Sequence, residues 1–159
     1  MNRQQFVKHV ESTQRPLRRF LTALCCGDSS LADDIAQDAY IKAYLSCEEI
    51  RDENKFSAWI FRIAYNSFIS HCRSRKPTAD IDEAIQLKGS DRADSSFRYQ
   101  ELYTALDKLS EKERTSILLF YLQGYSIKEI AEIIESSPEA VKQQLSRGRN
   151  HLRDLLENI

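Results

Sequence analysis

The side chains between Glu139 and Arg153 offer the clearest chemistry in this sequence. From Val141 to Arg153 there are four cations, Lys142, Arg147, Arg149 and Arg153, and no acid. At a helical advance of about 100° per residue, Val141, Leu145, Gly148, Leu152 and Leu155 or Leu156 fall on one stripe. Glu139, Ala140, Lys142, Gln143, Ser146, Arg147, Arg149 and Asn150 occupy the opposite side. Guanidinium, amide and hydroxyl groups on a protruding helix can grip phosphates and read base edges. A solvated helix face is the plain alternative.

Two further constellations stand upstream. Between Asn54 and Ala79 the cations Lys55, Arg62, Arg73, Arg75 and Lys76 meet no acid and interleave with Phe56, Trp59, Phe61, Tyr65 and Phe68. Rings on which bases stack, beside cations that meet phosphates, suit single-stranded nucleic acid. Packing in a core is the competing use of each ring, Trp59 included. The polarity reverses from Gly27 to Ala39, where Asp28, Asp33, Asp34 and Asp38 stand without a cation. Asp34, Asp38 and Ile41 recur at i, i+4 and i+7 with Gln37 beside them, a face that suits a basic partner or simply water. The formal net charge is only −1, so local fields rather than overall charge would steer a polyanion.

Catalytic patterns are missing. There is no GxxxxGKS or GxxxxGKT loop, no GxGxxG turn and no HExxH pair, and the three histidines are dispersed. Cys25, Cys26, Cys47 and Cys72 include no CxxC pair, and a metal site built from Cys25, Cys26, His71 and Cys72 would match no zinc spacing. No apolar run approaches the roughly 20 residues of a membrane span, and no secretory leader is evident. The expectation is a non-enzymatic, cytoplasmic protein with no cofactor, no metal, no small-molecule substrate and no direct membrane insertion.

These residues need helices to position them, and the sequence supplies little else. Leu, Ile, Ala, Glu, Lys and Arg dominate blocks poor in Gly and Pro, and no stretch alternates with period two, so the fold class is all-α. A first helix is expected over residues 4–26, with Pro16 a point where it can kink or divide. A second runs from about Ser30 to Leu45. Residues 46–55 read as an exposed polar loop. The segment from Phe56 to Arg75 has apolar residues on two faces, as in a helix central to a bundle or one that keeps a face for a ligand. Lys76 and Pro77 stop it, and residues 77–97 read as a flexible linker. Beyond Arg98 a helix carries Leu102, Leu106 and Leu109. Ser110 and Glu113 form a capping box for the next, closed by Gly124. Ser126 with Glu129 caps a third, and Ser137 with Pro138 at the first helical position opens the cationic helix. Two helices joined by so short a turn make a helix-turn-helix.

The expected organisation is therefore two small helical domains, residues 1–76 and 98–159, on either side of the linker. In that order the chain resembles the bacterial sigma-70 family, in its small extracytoplasmic function (ECF) type. LADDIAQDAYIKAY is similar to that family's region 2.2, FSAWIFRIAYNSFISHCRSRK to regions 2.3 and 2.4, and the sequence from Leu106 to Arg153 to region 4, with no region 3 between.

The resemblance implies a promoter-specificity subunit of RNA polymerase. Asp34, Gln37, Asp38 and Ile41 would dock on the clamp helices of the polymerase beta-prime subunit, and the C-terminal domain on the beta flap. Arg51, Asn54 and Lys55 in the polar loop, with Arg62, Asn66, Arg73 and Arg75, would capture the non-template strand of the minus-10 element. Ala140, Lys142, Gln143, Ser146, Arg147 and Arg149 would face the minus-35 duplex. An anti-sigma factor is implied as a further partner. The chain departs from the family pattern at Glu135, where Gly is frequent in the turn, at Glu139-Ala140 in place of Gly-Thr, at Ser70 in place of Asp and at Gln144 in place of Arg. Two other readings fit the residues alone: a dimeric helix-turn-helix regulator acting on palindromic sites, and a helical module that binds only protein.

Overall fold

The first helix, α1 (Arg3–Leu24), opens on a capping box in which Asn2 Oδ1 accepts the Gln5 amide and Gln5 Oε1 accepts the Asn2 amide, both at 2.9 Å. It runs unbroken through Pro16. An interior proline costs about 3 kcal/mol in lost hydrogen bonding and steric conflict. Here Leu17, Phe20, Leu21 and Leu24 follow it and are fully buried, each contributing about 1.5–3 kcal/mol, which outweighs that penalty. The computed structural model describes residues 1–74 and 94–157.

Cys26 and Gly27 turn the chain with positive φ, and Asp28 caps α2 (Ser29–Leu45) by accepting the Leu31 amide at 3.0 Å. The polar stretch that follows holds two short 3-10 turns, Cys47–Glu49 and Glu53–Lys55. Then α3 (Phe56–Ser74) passes through the centre of the molecule. Phe56, Ile60, Phe61, Ala64, Tyr65 and Phe68 are buried, so both of its apolar faces are used. Phe6 meets Phe56 edge-on at 5.8 Å on one side, and Phe20 packs on Phe61 at 5.2 Å on another.

The C-terminal region begins with α4 (Asp94–Asp107), so the end of the expected linker is helical, and the remainder of it lies outside the described residues. Ser110 and Glu113 form the expected capping box on α5 (Glu111–Ile117), which runs into a π-helical turn, Leu118–Leu122. Gly124 takes φ +77°, a conformation costly for a residue with a Cβ. Ser126 and Glu129 then cap α6 (Ile127–Ile133) reciprocally at 3.1 and 2.8 Å. After a turn through Glu135 at φ +54°, the Ser137 hydroxyl accepts the Ala140 amide at 3.1 Å and α7 (Pro138–Glu157) begins. Val141, Leu145 and Gly148 are buried, Leu152 and Leu155 half-buried and Leu156 exposed, which settles the end of the apolar stripe on Leu155.

The two regions share one continuous core. Tyr125 stands edge-on to Phe61 at 5.5 Å and its hydroxyl lies 2.6 Å from that of Ser57. Gln123 donates to the Pro16 carbonyl at 3.2 Å. Arg114, almost fully buried, donates to the carbonyls of Leu106 and Leu24 at 2.9 Å and of Leu109 at 3.3 Å, so one guanidinium closes the ends of α4 and α1 together. Among the described residues there is no strand.

Candidate nucleic-acid interface

On α7 the side opposite Val141, Leu145 and Gly148 is open to solvent. Lys142, Gln143, Ser146, Arg147 and Arg149 are exposed and Ala140 is half-buried, so the six candidates at this site share one face. Arg149 donates to the Tyr121 hydroxyl at 3.3 Å, which aims its guanidinium along the surface. Gln144 turns the other way, and its side-chain carbonyl accepts the Ser116 hydroxyl at 2.8 Å. Its amide serves packing between α5 and α7, so the departure at this position leaves the exposed face unaltered.

The second set of candidates surrounds a cleft of about 440 Å³. From α3 it is lined by Trp59, Arg62, Ile63, Asn66 and Ser70, which recur every three or four residues along one side of the helix. Lys42 and Ser46 at the end of α2, with Glu49 in the loop, form the opposite wall. Arg62 and Asn66 are therefore brought together. Arg51, Asn54 and Lys55 are exposed on the loop, outside the cleft lining, and Arg73 is exposed near the end of α3. Arg75 lies outside the described residues. The loop is held at its base: the Asn54 amide donates to Asp52 Oδ1 at 3.0 Å, and Glu53 lies 2.9 Å from His9 Nε2 on α1. Sequence reasoning missed Lys42 and Ser46, which come from a different helix, and left Trp59 undecided between ring stacking and core. The ring is half-buried, edge-on to Phe56 at 5.7 Å, with a side to the cleft.

The acidic candidates lie on α2. Asp34, Gln37, Asp38 and Ile41 are all exposed, and Asp38 pairs with Lys42 at 3.0 Å. The same face continues into Tyr44, 47% exposed, and Leu45, 78% exposed, which together with Ile41 make an uncovered apolar strip beside the carboxylates. Carboxylates beside uncovered apolar area mark a surface suited to another protein rather than to DNA.

Cys25 and Cys26 line neither the cleft nor the exposed face of α7. Burial pushes the Cys25 thiol far above its ordinary value and the Cys26 thiol up to about 12. Cys26 donates weakly to Asp107 at 3.7 Å. Among the described residues no group of three or more His, Cys, Asp or Glu side chains could hold a metal ion, and no helix is long and apolar enough to cross a membrane.

A cationic helix-turn-helix, a separate cleft with aromatic and basic side chains, and an acidic strip beside exposed apolar residues stand together on one all-helical chain. The comparisons with known proteins identify the family. Residues 9–78 match the model of sigma-70 region 2, and residues 99–152 that of sigma-70 region 4. The chain is 33% identical to the ECF RNA polymerase sigma factor SigW of Bacillus subtilis over 84% of its own length and 79% of the relative's. It is 30% identical to the ECF sigma factor SigM of Mycobacterium tuberculosis, covering 89% of this chain and 72% of that one. The sigma factor RpoE of Bartonella quintana, solved in complex with the anti-sigma factor NepR, superposes with a TM-score of 0.77 over 96% of each chain at 26% identity. CnrH, solved with the cytosolic domain of CnrY, has a TM-score of 0.75 over 99% of this chain and 90% of that one, at 23% identity, and shares the fold. The chain belongs to the sigma-70 family, as a factor of the ECF type. It is a promoter-specificity subunit of RNA polymerase, acts in transcription initiation and is not an enzyme.

Proposed function

We propose that the two DNA-facing sets divide the promoter between them. The exposed face of α7, with Ala140, Lys142, Gln143, Ser146, Arg147 and Arg149, reads the minus-35 duplex in the major groove. The cleft beside α3 takes an unstacked base of the minus-10 non-template strand, with Trp59 as the stacking surface, Asn66 as the polar reader and Arg62 on the backbone. Arg51, Asn54, Lys55, Arg73 and Arg75 extend that strand's path. The observation that carries this reading is the cleft itself: about 440 Å³ is ample for one base, and its lining combines a ring, an amide and a cation.

The chain docks on polymerase through Asp34, Gln37, Asp38 and Ile41, extended by Tyr44 and Leu45, against the beta-prime clamp helices, and through its C-terminal region against the beta flap. Opening a bubble of about ten pairs costs on the order of 10 kcal/mol in lost stacking, and captured bases return about 1–3 kcal/mol each. Polymerase contacts must supply the remainder, which is why a docking strip belongs in the same protein. The setting is the cytoplasm, and an anti-sigma factor is the regulatory partner.

The test is run-off transcription with purified core polymerase on candidate promoters. The wild-type chain should form a complex and initiate. Asp38→Arg should lose core binding about tenfold or more while keeping the affinity of the helix-turn-helix for minus-35 duplex, on the footing that a charge reversal in a docking face costs more than 1.4 kcal/mol. Unchanged core binding by Asp38→Arg would remove α2 from the docking surface.

A further inference from the structure

The polar loop between α2 and α3, residues 46–55, is braced by the N-terminal half of α1 and the residues before it. In the loop's first half the buried Cys47 thiol donates weakly to the Met1 carbonyl at 3.8 Å. In its second half the Glu53 carboxylate meets His9 Nε2 at 2.9 Å. Among the described residues this is the one side-chain hydrogen bond that joins residues 50–55 to another element. His9 is itself fixed, because its ring stacks on the fully buried Phe56 at 4.8 Å with the planes 22° apart. Phe56 in turn stands edge-on to Trp59, the ring of the cleft lining, at 5.7 Å. Glu53 sits between Arg51 on one side and Asn54 and Lys55 on the other. Released from His9, its carboxylate is free to pair with those cations or to oppose a phosphate, and held by His9 it is turned to α1.

We propose that His9 is a positioning residue for minus-10 recognition: through Glu53 it holds the loop that carries Arg51, Asn54 and Lys55 in register with the cleft, without touching DNA itself. The gain is preorganisation. A loop already in its bound conformation loses less conformational entropy when a strand arrives, and its readers meet the same nucleotides each time. Both partners are partly exposed, the His9 side chain at 25% and that of Glu53 at 44%, so the pair contributes little to the stability of the fold. Its effect falls on which strands are chosen rather than on whether the chain folds.

This inference rests on the assignment of the loop and cleft to the minus-10 strand, and the experiment separates the two. The chain is assembled with core polymerase and mixed with a fully randomised pool of 15-nucleotide single strands. Bound strands are sequenced, affinity for the most enriched strand is read by anisotropy, and the urea midpoint of each variant is recorded. His9→Ala should bind the strand preferred by wild type about two- to fivefold more weakly and flatten the preference at one or two of its positions. His9→Phe keeps a ring on Phe56 but has no donor, and should behave as His9→Ala. His9→Gln, whose side-chain amide can donate to Glu53, should restore most of the preference. Glu53→Ala should match His9→Ala, and the double variant should be no worse than either. A loss that tracks the folded fraction with the sequence preference unchanged would make His9 a packing residue and overturn the proposal. Losses that multiply in the double variant would overturn it too, since the two side chains would then act separately. If Asn66→Ala shifts the preference while His9→Ala does not, the cleft assignment survives and the positioning role is wrong. If Asn66→Ala leaves affinity and preference intact, the cleft assignment fails and the inference falls with it.

Discussion

Arg147 is exposed on α7, and a guanidinium there can make the bidentate contact to a guanine edge that discriminates bases most strongly. Arg147→Ala should lower affinity for the cognate minus-35 duplex by about 1–3 kcal/mol and relax specificity at one base pair, as read by anisotropy on a set of point-substituted duplexes. A uniform loss across all duplexes would make it a phosphate contact instead. A different kind of residue sets the response to alkali. The Cys25 and Cys26 thiols and the Tyr40, Tyr65 and Tyr125 phenols are all raised, chiefly by burial. The charged forms are disfavoured in the fold, so the unfolded chain loses these protons first. Stability is fully present below the ordinary thiol value of about 8.5 and declines as pH rises toward about 12, the Cys26 value. The urea midpoint should fall steadily between pH 8.5 and 11, and Cys25→Ala with Cys26→Ala should flatten part of that fall. A midpoint independent of pH over that range would mean that these groups are hydrated in the native state. At this scale the exposed cationic face of α7 was legible in the sequence because one helix carries it at a regular spacing. Lys42 and Ser46 were not, since only packing of α2 against α3 brings them to the cleft.

The elements themselves were announced by their ends. The boxes Ser110-Glu113 and Ser126-Glu129 and the Ser137-Pro138 start are local devices of four residues or fewer, and each appears where the spacing expected it. Pro16 shows the limit of such reading, because the burial that keeps α1 whole is non-local. So does the π-helical turn at Leu118–Leu122, for which LLFYL carries no local signal. The helix-turn-helix depends on one close approach that the sequence marks only as a gap in the apolar stripe. A Cβ at Gly148 would lie 2.8 Å from Ile117 Cγ1 and 3.2 Å from its Cδ1, so α5 and α7 meet there without room for a methyl group. Alanine is the better helix former by about 1 kcal/mol, yet Gly148→Ala should destabilise the protein by about 1–3 kcal/mol, since overpacking outweighs propensity. Because the clash can also be relieved by tilting α7, minus-35 affinity should fall by more than the folded fraction accounts for. Chemical denaturation and duplex anisotropy on the same sample separate the two effects. A Gly148→Ala protein more stable than wild type would show that Ile117 yields without cost.

For the whole molecule, the question is what makes two small helical regions behave as one. Arg114 lies in the sequence EKERTSILL, where it reads as an ordinary surface cation of a helix, and no local pattern distinguishes it. In the fold it is only 8% exposed and its partners are three backbone carbonyls, Leu106, Leu109 and Leu24, with no carboxylate among them. Leu24 ends α1, and the other two flank the end of α4, so the guanidinium sits where two helix dipoles point their negative ends and where carbonyls lack intrahelical partners. Five donors in a fixed fork suit that junction, and a lysine ammonium cannot span it. Arg114→Ala withdraws the guanidinium from carbonyls of both regions. Leu106 keeps the Leu109 amide at 3.1 Å and Leu24 only the weak Cys26 thiol at 3.9 Å, so the penalty of about 1–3 kcal/mol per unsatisfied group is incurred in part and a total loss of about 2–4 kcal/mol is expected. Arg114→Lys should recover less than half of it. The loss should also be unevenly shared, because only the bond to Leu24 crosses between the regions. Wild type should unfold in one transition seen alike by Trp59 fluorescence, which reports α3, and by far-ultraviolet circular dichroism, which reports all helices. In Arg114→Ala the C-terminal region loses its own junction as well as the link, so the dichroism should begin to fall at lower urea than the fluorescence. Coincident transitions at a lowered midpoint would instead show that the shared core of Phe61, Tyr125 and their neighbours couples the regions without Arg114.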